Sequence, residues 1–442
     1  MDRTAKSKVT DEYGQKGGGV ICAAAQKPLD NLTGCAPLAF GAAVSEEDFR
    51  RIQNRMVLDC CKWDAQVGDV CTLFRQPLLM RQETWQELAR AAEGLTTELL
   101  SAEQELLERA DLHAELGLPK RLRPTFAQAR RLKPTPCAVR TLRFDFHYTT
   151  EGWRISEVNS DVPGGYSEAS CFTVQMSEFF PHARPAGNPA NAWADGMISV
   201  AGTGGHVALL SAPGFLEDQQ VTAFLAGQLQ KRGVEAFLLH HPAQLKWKSG
   251  LASIASNQRQ IGIDAIVRFY QGEWLAALSA SCEWKRLFAG GETPVANPGI
   301  ALLSESKRLP LAWDRISSKM TTWRKLLPEC RNPIDPSWQA GDEWALKAAF
   351  SNTGDAVHMR EFTDHNAWTS LCRSVKKHPE RWIAQRRFKP LPIVSDAGAV
   401  YPCVGVYTIN GRACGAYVRV GLRQVIDYAA MDVALLIEEE KC

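Results

Sequence analysis

RFDFHYTTEGWRISEVNSD, residues 143–161, is the stretch on which the reading of this chain turns. Its first half alternates. Leu142, Phe144, Phe146 and Tyr148 fall on one side of an extended strand, and Arg143, Asp145 and His147 on the other. Thr149 to Gly152 is polar and ends in glycine, which marks a turn. A three-residue loop Thr150-Glu151-Gly152, with the glycine left-handed, is a common hairpin connection. That loop pairs Thr149 with Trp153. It then sets Asp145 opposite Glu157 and Arg143 opposite Asn159.

Directly opposed residues have Cβ atoms about 4.5–5.5 Å apart. Two ionised carboxylates at 4 Å repel by roughly 4 kcal/mol at an effective dielectric of about 20. A cation between them removes that cost. The oxygen donors of Asp145, Glu157 and Asn159 suit Mg²⁺, which keeps waters and takes further ligands from phosphates. Arg143 beside them could hold a phosphate or a carboxylate. The pattern alone also fits a solvent-facing edge hairpin, and a one-residue slip would separate the two acids.

Outward from the hairpin, the chain is ordinary in bulk. Its 442 residues have room for roughly two or three domains. Apolar residues are 45% and charged residues 23%, as in soluble globular proteins. A net charge of +2 gives no reason to expect nucleic acid or a membrane surface as partner. No apolar run reaches the length of a membrane span. The start, MDRTAKSKVTDEYGQKGGG, lacks the apolar core of a signal peptide, and residues 1–44 read as a flexible tail. The 13 cysteines are scattered, without CxxC or Cys/His zinc spacing, and suit reduced thiols in a cytoplasmic protein.

Residues 45–137 read as a helical region. SEEDFRRIQNRMVLDCCKWDAQV and ETWQELARAAEGLTTELLSAEQELLERADLHAEL carry it, and Gly117 and Pro119 are stop signals. The hairpin segment spans 138–199. HVALLSA, LEDQQVTAFLAGQLQKRGVEAFLLH and IDAIVRFY then alternate strand, helix and strand, which predicts a parallel α/β unit over 200–296. It lacks a GxGxxG after its first strand, so no dinucleotide site is expected there. From 297 to 442 the pattern is antiparallel. EWALKAAF, RWIAQRRF, AVYPCVGVYTI and RACGAYVRV read as strands, giving an α+β class overall.

RFDF at 143–146 and EVNSDVPGGYSEAS at 157–170 resemble the glutathionylspermidine synthase family of ATP-grasp enzymes. That family carries Arg-Phe-Asp, then Glu-x-Asn-x-Asp-x-Pro, at this spacing. NPGIALLSESKRLPLAW (297–313), WALKAAFSNTGDAV (344–357) and IAQRRFKPLPIVSDAGAVYPCVGVYTINGRACGAYVRV (383–420) are similar to later family segments and keep their order. The resemblance runs unevenly from about Arg143 to Asp427. It implies an ATP-grasp fold with a preceding Rossmann-like pre-ATP-grasp domain and an N-terminal helical region.

Carried over residue by residue, it implies that Asp145, Glu157 and Asn159 bind the Mg²⁺ that bridges the ATP phosphates. Lys307 and Lys347 would contact ATP. The loop with Ser351, Asn352, Thr353 and Gly354 would close over the triphosphate, and Gln385 would lie beside the adenine. Arg419 would sit at the γ-phosphate, with Arg143 near the same transfer site. The implied activity is that of an ATP-dependent carboxylate–amine ligase working through an acyl-phosphate. Its partners would be a small carboxylate and an amine (amino acid, peptide or polyamine-like), with a homodimer as the usual assembly. Two other readings compete: an ATP-binding relic without turnover, and a Mg·ATP phosphotransferase.

The departures bear on this. Ala348 stands where the family has proline, Ser351 where it has glycine, and Arg386 where an acid or amide is usual. Val162-Pro163-Gly164-Gly165 replaces a Thr-Pro segment, which points away from glutathione itself as the acid. No amidase domain with a catalytic cysteine is visible. His147 shares the polar face, as a general base or, more plainly, as a hydrogen-bonded structural residue. Asp427 is a further candidate contact.

Overall fold

The alternation at 142–148 has its physical counterpart in a sheet with two unlike faces. A computed structural model describes residues 36–67, 70–256, 258–339, 341, 343–351 and 357–439. Its central antiparallel sheet contains β1 (Thr141–Thr149), β2 (Gly152–Asn159), β3 (Gly398–Ile409), β4 (Arg412–Gly421) and β5 (Met431–Val433). Their spatial order is β5-β4-β3-β1-β2, and Ile393–Ser395 adds to β3. The hairpin and the C-terminal strands therefore build one sheet, although the sequence reading divides them between two segments.

One face of this sheet is apolar. Phe146, Val404 and Val418 lie in one cross-strand row, and Phe144, Val406 and Ala416 in the next. All are buried. They pack under the long helix α1 (Gln82–Glu108), whose Leu88, Ala92, Leu95, Leu99, Ala102 and Leu106 recur every three or four residues along one stripe. Each buried leucine there contributes roughly 1.5–3 kcal/mol. Trp323 closes this layer. Its Nε1 donates to the Leu95 carbonyl at 3.0 Å, and its ring meets Phe144 edge-on at 6.0 Å.

The hairpin reaches the expected opposition by another route. Gly152 is left-handed as expected, with φ +83°. The ladder nevertheless pairs Thr149 with Gly152 and Tyr148 with Trp153, one step from the expected register. A β-bulge then inserts one extra residue, Ser156, between the pairs Phe146–Ile155 and Asp145–Glu157. Asp145 thus ends opposite Glu157 and Arg143 opposite Asn159. The bulge also reverses the facing of β2. Trp153 and Ile155 point to the core before it, and Val158 after it.

Among the described residues, three four-stranded sheets frame the central sheet, with a three-stranded antiparallel sheet and a two-stranded ribbon beside them. A parallel sheet of order Val295–Ala296, Ala265–Phe269, His206–Ser211, Glu235–Leu239 occupies the stretch read as α/β. An antiparallel sheet of order Cys330–Arg331, Trp382–Arg386, Trp344–Ala348, Val357–Met359 carries the helix His365–Lys377. The third joins Leu38–Phe40, Leu78–Arg81, Leu435–Glu438 and Ala183–Pro185. Part of the expected tail is therefore a strand, since Leu38 to Phe40 pair with Met80 to Leu78. No helix among the described residues is long and apolar enough to cross a membrane.

A buried ion pair fixes the end of β2 to the parallel sheet. Asp161 accepts from the Arg268 guanidinium and, at 2.8 Å, from the Gly272 N–H. Arg268 is fully buried and also donates to the carbonyls of Asn297 (3.0 Å) and Tyr270 (2.7 Å). Asn297 in turn bonds the Thr141 N–H and carbonyl, both at 2.8 Å. Arg268→Met leaves the buried Asp161 without its ion-pair partner, holding only the Gly272 N–H. It should cost about 3–5 kcal/mol, read as a lower urea midpoint at unchanged slope; a shift under 1 kcal/mol would remove the pair from this role.

Candidate functional site

The second face of the central sheet is polar, and it is set by register. Glu157, Asp145, Gly405 and Tyr417 form one cross-strand row. Cys403, Arg419 and Asp432 form another, and Asn159, Arg143 and Tyr407 a third. A cavity of about 450 Å³ lies over this face. Arg143, Asp145, Glu157, Asn159, Lys347, Gln385 and Arg419 all line it. The face is no solvent-exposed edge: Arg143, Asp145 and His147 are buried.

Asp145 is the hub. Its Oδ1 accepts from Arg143 Nε at 2.9 Å. Its Oδ2 accepts from Arg143 at 3.3 Å, Arg419 at 3.2 Å and the Asn159 amide at 3.4 Å. Burial alone would raise its pKa, but the two guanidinium groups bring it below the ordinary carboxylate value. Arg143 also donates to the Gly164 carbonyl at 2.7 Å.

Glu157 has a different environment. Lys307 Nζ lies 3.5 Å from it. Burial raises Glu157, and Lys307 with Lys347 lowers it further than that, so it too stays ionised. Lys347 is buried in the strand Trp344–Ala348, and its Nζ donates to the Ser156 carbonyl at 2.9 Å. Gln385 reaches the same carbonyl at 3.4 Å. The bulge thus supplies the acceptor that ties the small antiparallel sheet to the hairpin. Arg143, Arg419, Lys307 and Lys347 against Asp145 and Glu157 leave two positive charges in surplus, which suits a polyanion.

Lys307 and Ser351 stand at one side. Lys307 donates to the Ser351 carbonyl at 3.0 Å, and Ser351 borders a narrow cleft with Asn159 and Glu305. Asn352, Thr353 and Gly354 lie outside the described residues. Arg386 pairs with Glu329 (3.1 Å) and Glu343 (2.9 Å). Asp427 pairs with Arg423 at 2.6 Å.

The donor set fits a Mg²⁺ ion: two carboxylates and a carboxamide share one face beside cations able to hold phosphate. Mg²⁺ commonly takes one or two protein carboxylates and fills its octahedron with water and phosphate. Among the described residues no cluster of three His, Cys, Asp or Glu side chains is spaced to hold a metal alone. Asp145 already accepts four protein hydrogen bonds, so Glu157 is the carboxylate with acceptor positions to spare.

The sequence reading missed a second cluster at the same cavity. Lys62 Nζ is buried and meets Glu168 at 2.6 Å, Asp64 at 2.9 Å and Asp432 at 2.9 Å. Burial opposes its charge, but Asp432 and Glu168 hold it well above the ordinary lysine value. Asp218 lines the cavity too, pushed up to about 7 by burial. Only Tyr417 had a signal in the sequence, the alternation of GAYVRV that puts it on the face of Arg419.

A family model described as glutathionylspermidine synthase preATP-grasp matches residues 76–438. Among solved structures, a glutathione synthetase-like effector from Globodera pallida, in its apo form, is similar in fold. The TM-score is 0.59 at 12% identity, over 89% of this chain and 98% of that one. A putative gamma-glutamylcysteine synthetase from Methylobacillus flagellatus gives a TM-score of 0.40 at 11% identity, over 77% of this chain and 88% of that one. No curated protein is significantly similar in sequence.

His147 sits in this face with its ring 5.0 Å from Phe388 and its Nε2 3.2 Å from the Ser156 hydroxyl. Burial, reinforced by Lys347 and Arg419 against the pull of Asp145, pushes it down to about 4 from an ordinary 6.5. The imidazole is therefore neutral near pH 7. As pH falls, the unfolded chain takes up this proton first. The stability that His147 contributes is complete above about pH 6.5 and is lost on descent toward 4. His147→Gln should lose less stability between pH 7 and 5 than the parent, by urea titration; identical losses would contradict the assignment.

Proposed function

Since this chain belongs to the glutathionylspermidine synthase preATP-grasp family, we propose that it is an ATP-dependent ligase joining a carboxylate to an amine. The observation that carries the reading is the surplus of cations around two ionised carboxylates in one cavity. Four buried or half-buried cationic side chains converge there on a single sheet face. Such a face favours a triphosphate and the charge that develops as its terminal group moves.

A carboxylate is a poor electrophile, so it is first activated. One of its oxygens attacks the γ-phosphorus, the bond to the β–γ bridging oxygen breaks, and ADP leaves. The amine nitrogen then attacks the carbonyl carbon of the acyl-phosphate. The carbon–oxygen bond to phosphate breaks, inorganic phosphate departs, and the nitrogen gives up a proton. Little covalent help is required of the protein. Positioning and charge stabilisation supply the acceleration.

In this reading Lys347 and Lys307 hold nucleotide phosphates, and Gln385 lies toward the base. Arg143 and Arg419 neutralise the transferring phosphoryl group. Asp145, Glu157 and Asn159 would hold Mg²⁺, which supplies Lewis-acid neutralisation of phosphate charge when bound. Ser351 to Gly354 would shield the acyl-phosphate from water. The segment 200–296 takes the role of the pre-ATP-grasp domain and 297–442 that of the nucleotide-binding region. The acid would bind toward Gly164 and Gly165, beside Arg143.

The test is ADP release from Mg·ATP across a panel of amino acids, short peptides and polyamines. Release that needs Mg²⁺, an acid and an amine together is expected; ATP binding without ADP for any pair would favour a relic. Glu157→Gln should lower the rate by at least about 100-fold, with an unchanged circular dichroism spectrum. A rate within a few fold of the parent would take Glu157 out of the metal site.

A further inference from the structure

Two arginines on one face repel each other, and one carboxylate neutralises only one of them. What holds the second side of the pair is an aromatic ring. The guanidinium carbon of Arg143 lies 5.3 Å from the centroid of Tyr417, and that of Arg419 lies 5.4 Å from the same centroid. Both distances are within reach of a cation–π contact. Arg143 and Arg419 thus share two neighbours, Asp145 and Tyr417.

The surroundings are shaped to keep this ring in place. Gly405 stands between Asp145 and Tyr417 in the cross-strand row. A Cβ there would come within 2.8 Å of Arg143 Cδ, so the arginine crosses the space a side chain would fill. Gly165, at φ +92°, lies directly against the ring. A Cβ on it would fall 2.5 Å from Tyr417 Cδ1. The Tyr417 hydroxyl donates to Asp432 Oδ1 at 2.6 Å, and Asp432 Oδ2 meets Lys62 Nζ at 2.9 Å. Lys62 precedes residue 76, where the family match begins.

We propose that Tyr417 is a positioning residue that sets the two guanidinium groups at the transfer site, and that its hydroxyl, anchored through Asp432 to Lys62, fixes the ring. Tyr417 acts through the arginines and needs no contact with the reacting atoms. The kinetic part of this inference rests on the ligase reading above. The geometric part stands without it. A ring that merely filled space would be replaced by another apolar side chain with little effect on the arginines.

The test compares Tyr417→Phe and Tyr417→Leu with the parent in two assays. The first is ADP formation with the acid–amine pair found in the panel, alongside ATP affinity by calorimetry. Positioning at the transition state predicts that Tyr417→Leu lowers kcat at least tenfold while the ATP dissociation constant stays within about twofold. Tyr417→Phe keeps the ring and should recover a large part of that loss. Equal losses in both variants, or a kcat within twofold of the parent for Tyr417→Leu, would overturn the proposal. The second assay is the rate of phenylglyoxal labelling of Arg143 and Arg419, read by peptide mass spectrometry. Faster labelling in Tyr417→Leu than in Tyr417→Phe is expected, whether or not the parent makes ADP. Unchanged labelling refutes positioning even if the ligase reading holds, whereas faster labelling with no ADP from the parent refutes the ligase reading alone.

Discussion

A carboxylate with almost no access to water must be neutralised where it lies, and in this protein that carboxylate is Asp145. Left alone, it would take a proton or stay out of the core. Arg143, two residues away, satisfies one side of it. Arg419, 274 residues further along the chain, satisfies the other. That second arginine reaches Asp145 because the hairpin at 141–159 and the strands at 398–433 occupy one sheet. The segments between them return β4 to its place and bring Arg268, Lys307 and Lys347 to the hairpin. The same constraint passes outward. Arg143 and Arg419 need a partner beyond Asp145 and find Tyr417, whose hydroxyl leans on Asp432. Glu157, opposite Asp145, needs Lys307 and Lys347, and Lys347 comes from another sheet. A chain of paired charges thus joins the central sheet to the sheet that carries Lys347.

The cavity has two ends of opposite sign. Around Asp145 and Glu157 the cations are in excess. Around Lys62 the carboxylates of Asp64, Glu168 and Asp432 outnumber one ammonium group. Lys62 and Asp64 come from the stretch before residue 76, outside the family match, while Glu168 and Asp432 lie within it. Chemistry specific to this chain is therefore to be sought where its N-terminal segment meets the shared sheet. A common fold with a synthetase-like effector at 12% identity fixes architecture and leaves the substrate to the side chains.

Much of the central sheet was legible from the sequence because period-two alternation reports facing directly. It marked Leu142, Phe144 and Phe146 as core, and Arg143 and Asp145 as their opposite face. The C-terminal strands were legible for the same reason. What sequence could not carry was partnership across the chain. Nothing near CKWD at 61–64 shows that Lys62 will meet Asp432, because that meeting depends on the sheet formed by Leu78–Arg81 and Leu435–Glu438. The hairpin turn was misplaced by one step, and here a signal was available. The apolar residues of β2 fall at Trp153, Ile155 and Val158, so their spacing changes from two to three across Ser156. A regular strand cannot bury all three on one side, and a bulge can.

That one inserted residue gives β2 a phase change. Before Ser156 the odd-numbered residues belong to the core, and after it the even-numbered ones do. Residues on either side of this point therefore belong to different frames, as in a sentence read after a missing letter. Removing Ser156 would put the two halves back in phase. Glu157 would still face the cavity and Val158 the core; what would be lost is the Ser156 carbonyl that accepts from Lys347 and Gln385. Inversion would follow from keeping Ser156 in a strand without the bulge, which would turn Glu157 into the layer under α1 and Val158 to the cavity. The bulge is thus what lets one strand bury Trp153, Ile155 and Val158 while it keeps Glu157 beside its lysines.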